Sequence, residues 1–187
     1  MAEAELSHDD LLAIQASSDC LYTENEVNAA LDRMASDIST ALSGSKPLVL
    51  CTMIGGIVVT GKLLERLDFP LSVDYIHATR YRGALQGAEL DWIARPTESL
   101  QDRVVLIVDD IFDEGLTLEA LIKDCISAGA KKVFSAVLLD KSRKKKSVVD
   151  VDFVGMAVDN RYVFGSGMDY KGYLRNASGI FAIAEEK

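Results

Sequence analysis

Two kinds of hydrophobic pattern alternate along the chain. Short, nearly unbroken apolar runs occur at Leu48–Ile54, Val104–Val108 and Val133–Leu139, with further extended stretches at Ser72–Thr79 and Asp152–Val158. Runs this short and rich in β-branched residues predict strands buried on both faces, as in a parallel sheet. Between them the apolar residues recur every three or four positions. Val27, Leu31, Met34, Ile38 and Leu42 mark one helix, and Leu118, Leu121, Ile122, Cys125 and Ile126 mark another. A third apolar helical stretch follows Gly55-Gly56 and ends near Leu67. Thr23 to Glu26 is a capping-box pattern, Ser7-His8-Asp9-Asp10 caps a short helix through Leu11, Leu12 and Ile14, and Gly129 is the expected C-cap of the later helix. Residues 80–89 read as a polar, glycine-containing loop or hairpin, Leu90–Ala94 as a return strand, Tyr162–Phe164 and Ile180–Ala184 as short extended pieces, and 165–175 as a glycine- and tyrosine-rich loop. Strands alternating with helices predict an α/β fold with a mostly parallel sheet flanked by helices.

The chain of 187 residues, 49% hydrophobic and 26% charged, fits one domain with a full-sized core. No apolar run reaches the roughly 20 residues of a membrane span, and the acidic MAEAELSHDD start is expected to be neither a secretory signal nor a transit peptide. Three scattered cysteines (Cys20, Cys51 and Cys125) fit reduced thiols in a cytoplasm, and His8 and His77 lack metal-ligand spacing. A formal charge of −9 argues against nucleic acid or an anionic membrane as partner. An anionic ligand would therefore need backbone N–H groups, a few cations or a divalent metal.

The chemistry concentrates behind the Val104–Val108 run, where Asp109, Asp110, Asp113 and Glu114 place four carboxylates within six residues, followed by Gly115 and Thr117. Acids at the carboxyl end of a buried strand, with a glycine turn feeding a helix, describe a ligand site in an α/β sheet. The paired aspartates can hold sugar hydroxyls or Mg²⁺, and the turn with the Thr117 hydroxyl suits a phosphate. The plainer reading, an acidic helix cap, leaves four repelling charges without a shared cation. An EF-hand loop starting at Asp110 fails because Phe112 and Leu121 stand where ligands are required. A dinucleotide fingerprint fails for want of G-x-G-x-x-G.

The stretch VVLIVDDIFDEGLTL resembles the phosphoribosyl-diphosphate signature of type I phosphoribosyltransferases. The resemblance extends over nearly the whole chain to the hypoxanthine-guanine branch of bacterial type. Leu50–Gly56 is similar to its pyrophosphate loop, Asp74–Tyr81 to the strand before its mobile loop, and Leu138–Lys141 to the segment whose lysine reads the purine. Asp159–Gly165 and Met168–Arg175 are similar to its C-terminal hood. The resemblance implies one domain over 1–187, with a core at about 24–158 and a hood from about 1–22 and 159–187. It implies Mg²⁺-dependent transfer of 5-phosphoribosyl from phosphoribosyl diphosphate to hypoxanthine or guanine, giving IMP or GMP and pyrophosphate. A cytoplasmic homodimer or homotetramer is implied, without nucleic acid or membrane.

Roles follow by the same resemblance. Asp109 and Asp110 would hold the ribose hydroxyls, directly or through metal-bound water, and Asp113 would act as general base or stabilise the protonated purine. Glu114, Gly115, Leu116 and Thr117 would cradle the 5′-phosphate, and Lys141 would donate to purine O6. Tyr162 would stack on the base while the Val163 backbone contacts its edge; Asp169 would bind a second magnesium, and Arg175 with Ile54 and Gly55 would hold pyrophosphate. Arg80 and Tyr81 would open the mobile loop.

The chain departs from that pattern in three places. Ile54 stands where the family commonly carries Lys or Arg, so only backbone is offered there and Arg80 or Arg82 becomes the substitute cation. Arg80-Tyr81 replaces Ser-Tyr, and Glu114 replaces Thr, which leaves the phosphate to Gly115 and Thr117. The basic run at 143–146 reads as a solvated loop. Two rival functions remain open: a transferase using xanthine or adenine, and a regulator of the same fold that senses phosphoribosyl diphosphate and binds nucleic acid.

Overall fold

The computed structural model describes residues 6–80, 90–141 and 149–184, with the side chains of Arg80 and Leu90 outside that description. The basic run at 143–146 and most of the expected mobile loop, Tyr81 and Arg82 included, also lie outside the described residues.

Helices α1 (His8–Ser17), α2 (Glu24–Leu42), α3 (Gly56–Leu64) and α4 (Leu116–Ser127) alternate with strands β1 (Asp19–Tyr22), β2 (Leu48–Thr52), β3 (Ser72–Arg80), β4 (Leu90–Ala94), β5 (Val104–Phe112), β6 (Lys132–Asp140), β7 (Phe153–Ala157), β8 (Val163–Phe164) and β9 (Ile180–Ala182). Six strands form one sheet in the order β4-β3-β2-β5-β6-β7, and β1-β9-β8 form a second, smaller one. All neighbours in the large sheet are parallel except the β3–β4 pair.

The buried runs are explained by the layers on each side. Successive residues of a strand point to opposite faces, and both faces here are covered. Leu106 and Val108 of β5 join Val49 and Leu138 under Val27, Leu31, Met34 and Ile38 of α2 and Val59 and Leu63 of α3. Val105 and Ile107 join Leu48 and Leu50 under Leu118, Leu121 and Cys125 of α4. From β2 the chain builds outward to β3 and β4, then returns to the other side of β2 for β5. The carboxyl ends of β2 and β5 therefore sit at the point where the winding reverses, and ligands of open α/β sheets bind there.

Both capping boxes form, at Ser7 and at Thr23. Helix α1 buries none of its residues and leaves Leu12 52% exposed, so local capping accounts for it more than packing does. The helix expected to run near Leu67 stops at Leu64, and Leu67 enters the core from the following turn. At the end of α4 the cap is Ala128, one residue before the expected Gly129. Gly129 follows it, donating to the Ile126 carbonyl at 3.0 Å, while Ala130 donates to Cys125 at 3.1 Å. This is the paired closure of a Schellman turn.

The largest difference concerns β5, which runs four residues past the apolar stretch to Phe112. Its pairing with β6 continues through Asp109, opposite Val137, and through Ile111 and Phe112, opposite Leu139 and Asp140. The first two acids are thus strand residues, not loop residues.

The small sheet joins the two ends of the chain, since β1 pairs with β9 and β9 with β8. Phe164 and Phe181 stack at 5.5 Å between centroids, and Arg161 bonds Asp19 at 2.5 Å and the Ile183 carbonyl at 2.7 Å. The Tyr22 hydroxyl ties this sheet to the large one by donating to the Ala157 carbonyl at 2.5 Å. Tyr22→Phe is expected to cost about 1 kcal/mol, the usual net value of one such bond. Urea unfolding checks it, and an unchanged midpoint and slope would mean that this bond adds no net stability.

Candidate active site

Asp109 and Asp110 are adjacent residues of β5. Asp110 is 8% exposed, and Asp109 is half-buried. Asp109 Oδ1 lies 2.5 Å from the Thr52 hydroxyl at the end of β2 and accepts from the Asp110 backbone N–H at 3.0 Å. Burial pushes the Asp109 carboxyl well above the usual carboxylate range, and the adjacent Asp110 charge pushes it the same way. Burial also raises Asp110, against the pull of its bond with Asp109 and of the Arg175 cation.

Beyond β5 the turn at Gly115 has φ +78°, a left-handed conformation that a side chain would strain. Gly115 is also the N-cap of α4, and no side chain caps that end. The first amides of α4 therefore face the site without a protein acceptor from the cap, which is the arrangement that receives anions. The stretch from Asp109 to Leu118, with Val137, walls a cleft of about 240 Å³.

A second cleft of about 190 Å³ opens beside it and is lined by Asp110, Ile111, Asp113, Lys141, Tyr162, Val163, Met168 and Asp169. Lys141 is held next to the end of β5 because its N–H donates to the Phe112 carbonyl at 2.8 Å. Tyr162 is 53% exposed, and its ring is braced edge-on by Tyr170 at 5.6 Å. The two clefts share Asp110, Ile111 and Asp113.

The 52–56 loop and the 165–175 loop meet over Asp110. A methyl group at Gly55 would overlap the Asp110 carboxylate, and one at Gly167, where φ is +113°, would overlap the Gly55 carbonyl oxygen. Backbone approaches this closely only where side chains are missing. Arg175 stitches the junction together. Its guanidinium donates to the Gly167 carbonyl at 2.7 Å, pairs with Asp169 at 2.6 Å and lies 3.8 Å from Asp110. Ile54, next to Gly55, is 53% exposed and follows a cis peptide bond from Met53.

Of the residues singled out from the sequence, Gly55, Asp109, Asp110, Asp113 to Thr117, Lys141, Tyr162, Val163, Asp169 and Arg175 line these clefts or their junction, with Ile54 alongside. Tyr81 and the Arg80 side chain lie outside the described residues. Thr52 and Tyr170 lie within the stretches that resemble the pyrophosphate loop and the hood, and Gly167 within the 165–175 loop, but none of the three has a role of its own from the sequence. Thr52 sits at the end of an apolar strand run and reads as core. The GSGMDY glycines mark a turn without showing what it approaches. Among the described residues, no group of three His, Cys, Asp or Glu side chains forms a metal cage. Asp109, Asp110 and Asp169 offer hard oxygen donors, which fits Mg²⁺ held by one or two carboxylates together with a substrate's phosphates.

Residues 17–171 match the family model described as the phosphoribosyl transferase domain. Among curated proteins, the chain is 29% identical over 166 residues to the hypoxanthine-guanine-xanthine phosphoribosyltransferase of Tritrichomonas foetus, covering 88% of this chain and 91% of that protein. It is 28% identical over 157 residues to the hypoxanthine-guanine phosphoribosyltransferase of Bacillus subtilis, covering 83% and 87%. In fold it is similar to a crystal structure of a hypoxanthine phosphoribosyltransferase from Staphylococcus aureus, with TM-score 0.86, 23% identity and coverage of 92% and 95%.

The raised Asp109 and Asp110 carboxyls fix a sign for stability against pH. The folded protein retains protons there that the unfolded chain releases. Unfolding free energy from this pair therefore falls as pH rises from the ordinary carboxylate range, about 3.9 for Asp, through the raised values. Asp109→Asn is expected to stabilise the ligand-free protein at about pH 8 by on the order of 1 kcal/mol, with the gain shrinking toward about pH 5. Thermal melts at the two pH values check this, and a variant no more stable than the parent at the higher pH contradicts it.

Proposed function

The chain belongs to the phosphoribosyl transferase domain family, and on that premise we propose that it serves purine salvage. It transfers 5-phosphoribosyl from phosphoribosyl diphosphate to N9 of hypoxanthine or guanine, giving IMP or GMP and pyrophosphate. The observation that carries this reading is the pair of clefts sharing Asp110, Ile111 and Asp113. One ends on helix amides suited to a phosphate. The other is edged by an exposed tyrosine ring and a lysine, suited to a flat base with an oxo group.

In the reaction the bond from ribose C1′ to the pyrophosphate oxygen breaks, the bond from C1′ to N9 forms, and the purine N–H proton passes to Asp113. The amides of Gly115, Leu116 and Thr117 hold the 5′-phosphate with the Thr117 hydroxyl, and the Glu114 carboxylate takes no part in holding that anion. Asp109 and Asp110 accept from the ribose hydroxyls. Tyr162 stacks on the base, the Val163 backbone meets its edge, and Lys141 donates to O6, which favours oxo-purines over adenine. Arg175 has five N–H donors, so it can keep Gly167 and Asp169 while binding a phosphate oxygen of pyrophosphate. The Ile54–Gly55 backbone lies alongside. Excluding water suits a transition state with positive charge at the ribose; the segment expected to do so, from the Arg80 side chain and Tyr81 onward, lies outside the described residues.

Mg²⁺ on the diphosphate would neutralise its charge and improve it as a leaving group, with Asp109, Asp110 and Asp169 as the protein's donors, directly or through water. The enzyme works as a cytoplasmic homodimer or homotetramer. The apolar groove of about 340 Å³ beside Ile57, Val73 and Tyr75 supports self-association.

A product assay with phosphoribosyl diphosphate, Mg²⁺ and each of hypoxanthine, guanine, xanthine and adenine tests the reading. Nucleotide is expected from hypoxanthine and guanine and not from adenine, and no transfer to any base contradicts it. Asp113→Asn is expected to lower turnover by about 10²- to 10⁴-fold, the usual contribution of a positioned acid or base. Calorimetric binding of phosphoribosyl diphosphate should stay close to the parent's, and unchanged turnover removes Asp113 from the proton transfer.

A further inference from the structure

We propose that Thr52 is a positioning residue that fixes the orientation of the Asp109 carboxyl group and so sets the affinity for the ribose of phosphoribosyl diphosphate. The inference rests on the function proposed above and assigns a residue to which neither the sequence pattern nor that reading gave a part.

Thr52 is the last residue of β2 and is 7% exposed. Its hydroxyl oxygen lies 2.5 Å from Asp109 Oδ1 and 2.9 Å from the Val108 carbonyl oxygen. A hydroxyl carries a single proton but two acceptor sites. It can donate to Asp109, or donate to Val108 while accepting from a protonated Asp109. In both arrangements the same carboxyl oxygen is held by the same hydroxyl, so the positioning does not depend on where the proton lies. The 2.5 Å separation is in the range of a charge-assisted O–H···O⁻ bond.

The aspartate χ2 torsion is intrinsically broad, so a carboxylate at a strand end needs partners to hold one plane. Asp109 Oδ1 has two, the Thr52 hydroxyl and the Asp110 N–H at 3.0 Å. The backbone bond comes from the adjacent residue of the same strand. Thr52 is the partner from a different strand, and it anchors the carboxyl to the rest of the sheet. Thr52 is itself confined, because the first residue of α3 presses on it. A methyl group at Gly56 would crowd both the Thr52 hydroxyl and the Val108 carbonyl. The close α3–β5 approach thus leaves Thr52 and Asp109 little freedom to move apart.

The test compares Thr52→Val, which keeps the shape and loses the hydroxyl, with Thr52→Ser, which keeps the hydroxyl. KM values for phosphoribosyl diphosphate and for hypoxanthine are measured, together with the calorimetric Kd of phosphoribosyl diphosphate with Mg²⁺. The valine variant should raise KM and Kd for phosphoribosyl diphosphate by about 10- to 100-fold, the range for a lost bond to a charged group. Its KM for hypoxanthine should change less than about twofold, on the scale of exposed-site effects, and serine should restore most of the loss. In an Asp109→Ala background, Thr52→Val should add nothing further.

A folded valine variant with the parent's Kd overturns the inference, as does a serine variant no better than valine, or a full Thr52 effect when Asp109 is already absent. Should valine prevent folding, Thr52→Ala removes the hydroxyl without placing a methyl against the buried carbonyl, and the same comparison holds. Failure of the parent protein to bind phosphoribosyl diphosphate would overturn the functional reading itself. Normal parent binding with an indifferent Thr52 overturns only this inference.

Discussion

Asp110 is a buried carboxylate at the junction of the site. Gly55 and Gly167 approach it with bare backbone, Arg175 sits 3.8 Å away, and both clefts share it as a wall. Its neighbour Asp109 is half-buried beside it. Two buried acids side by side are costly unless cations and donors surround them. The chain responds with a short list of partners: Thr52 and the Asp110 amide on Asp109, and Arg175 beside Asp110.

The same constraint explains why loops far apart in sequence are held together. Residues near 55, 110, 167 and 175 meet at one place, and Arg175 bridges Gly167 and Asp169 while facing Asp110. The 165–175 loop is in turn carried by the small sheet, which closes through β1 and β9 and is tied to the large sheet by Tyr22. The base-side cleft is walled by residues of both sheets, with Ile111 from β5 and Val163 from β8, so its shape depends on how the two sheets are tied together.

Much of this was legible in the sequence because it is local. Apolar runs at 48–54 and 104–108, the helical spacing from Val27 to Leu42, and the Ser7 and Thr23 caps depend on neighbours a few residues away. The acids between Asp109 and Glu114, followed by Gly115, marked the site and the start of α4. The rest depends on partners far along the chain. Strand β1 has no apolar pattern of its own to announce it, since its partner β9 lies at Ile180–Ala182. The continuation of β5 to Phe112 follows from pairing with β6, and polar residues at 109 and 110 hide it. Thr52 and Gly167 carry no local signal for the contacts they make. Each is recognisable only once β2, β5 and the 165–175 loop are brought together.

The central claim is that the two clefts are one site, with the phosphate on the start of α4 and the base beside Tyr162. A crystal structure with bound guanosine monophosphate tests it most directly. The account predicts the 5′-phosphate within hydrogen-bond reach of the Gly115, Leu116 and Thr117 amides, the ribose over Asp109 and Asp110, and the guanine stacked on Tyr162 with O6 toward Lys141. A nucleotide bound with its phosphate away from α4, or with its base outside the cleft between Asp113 and Tyr162, would contradict it.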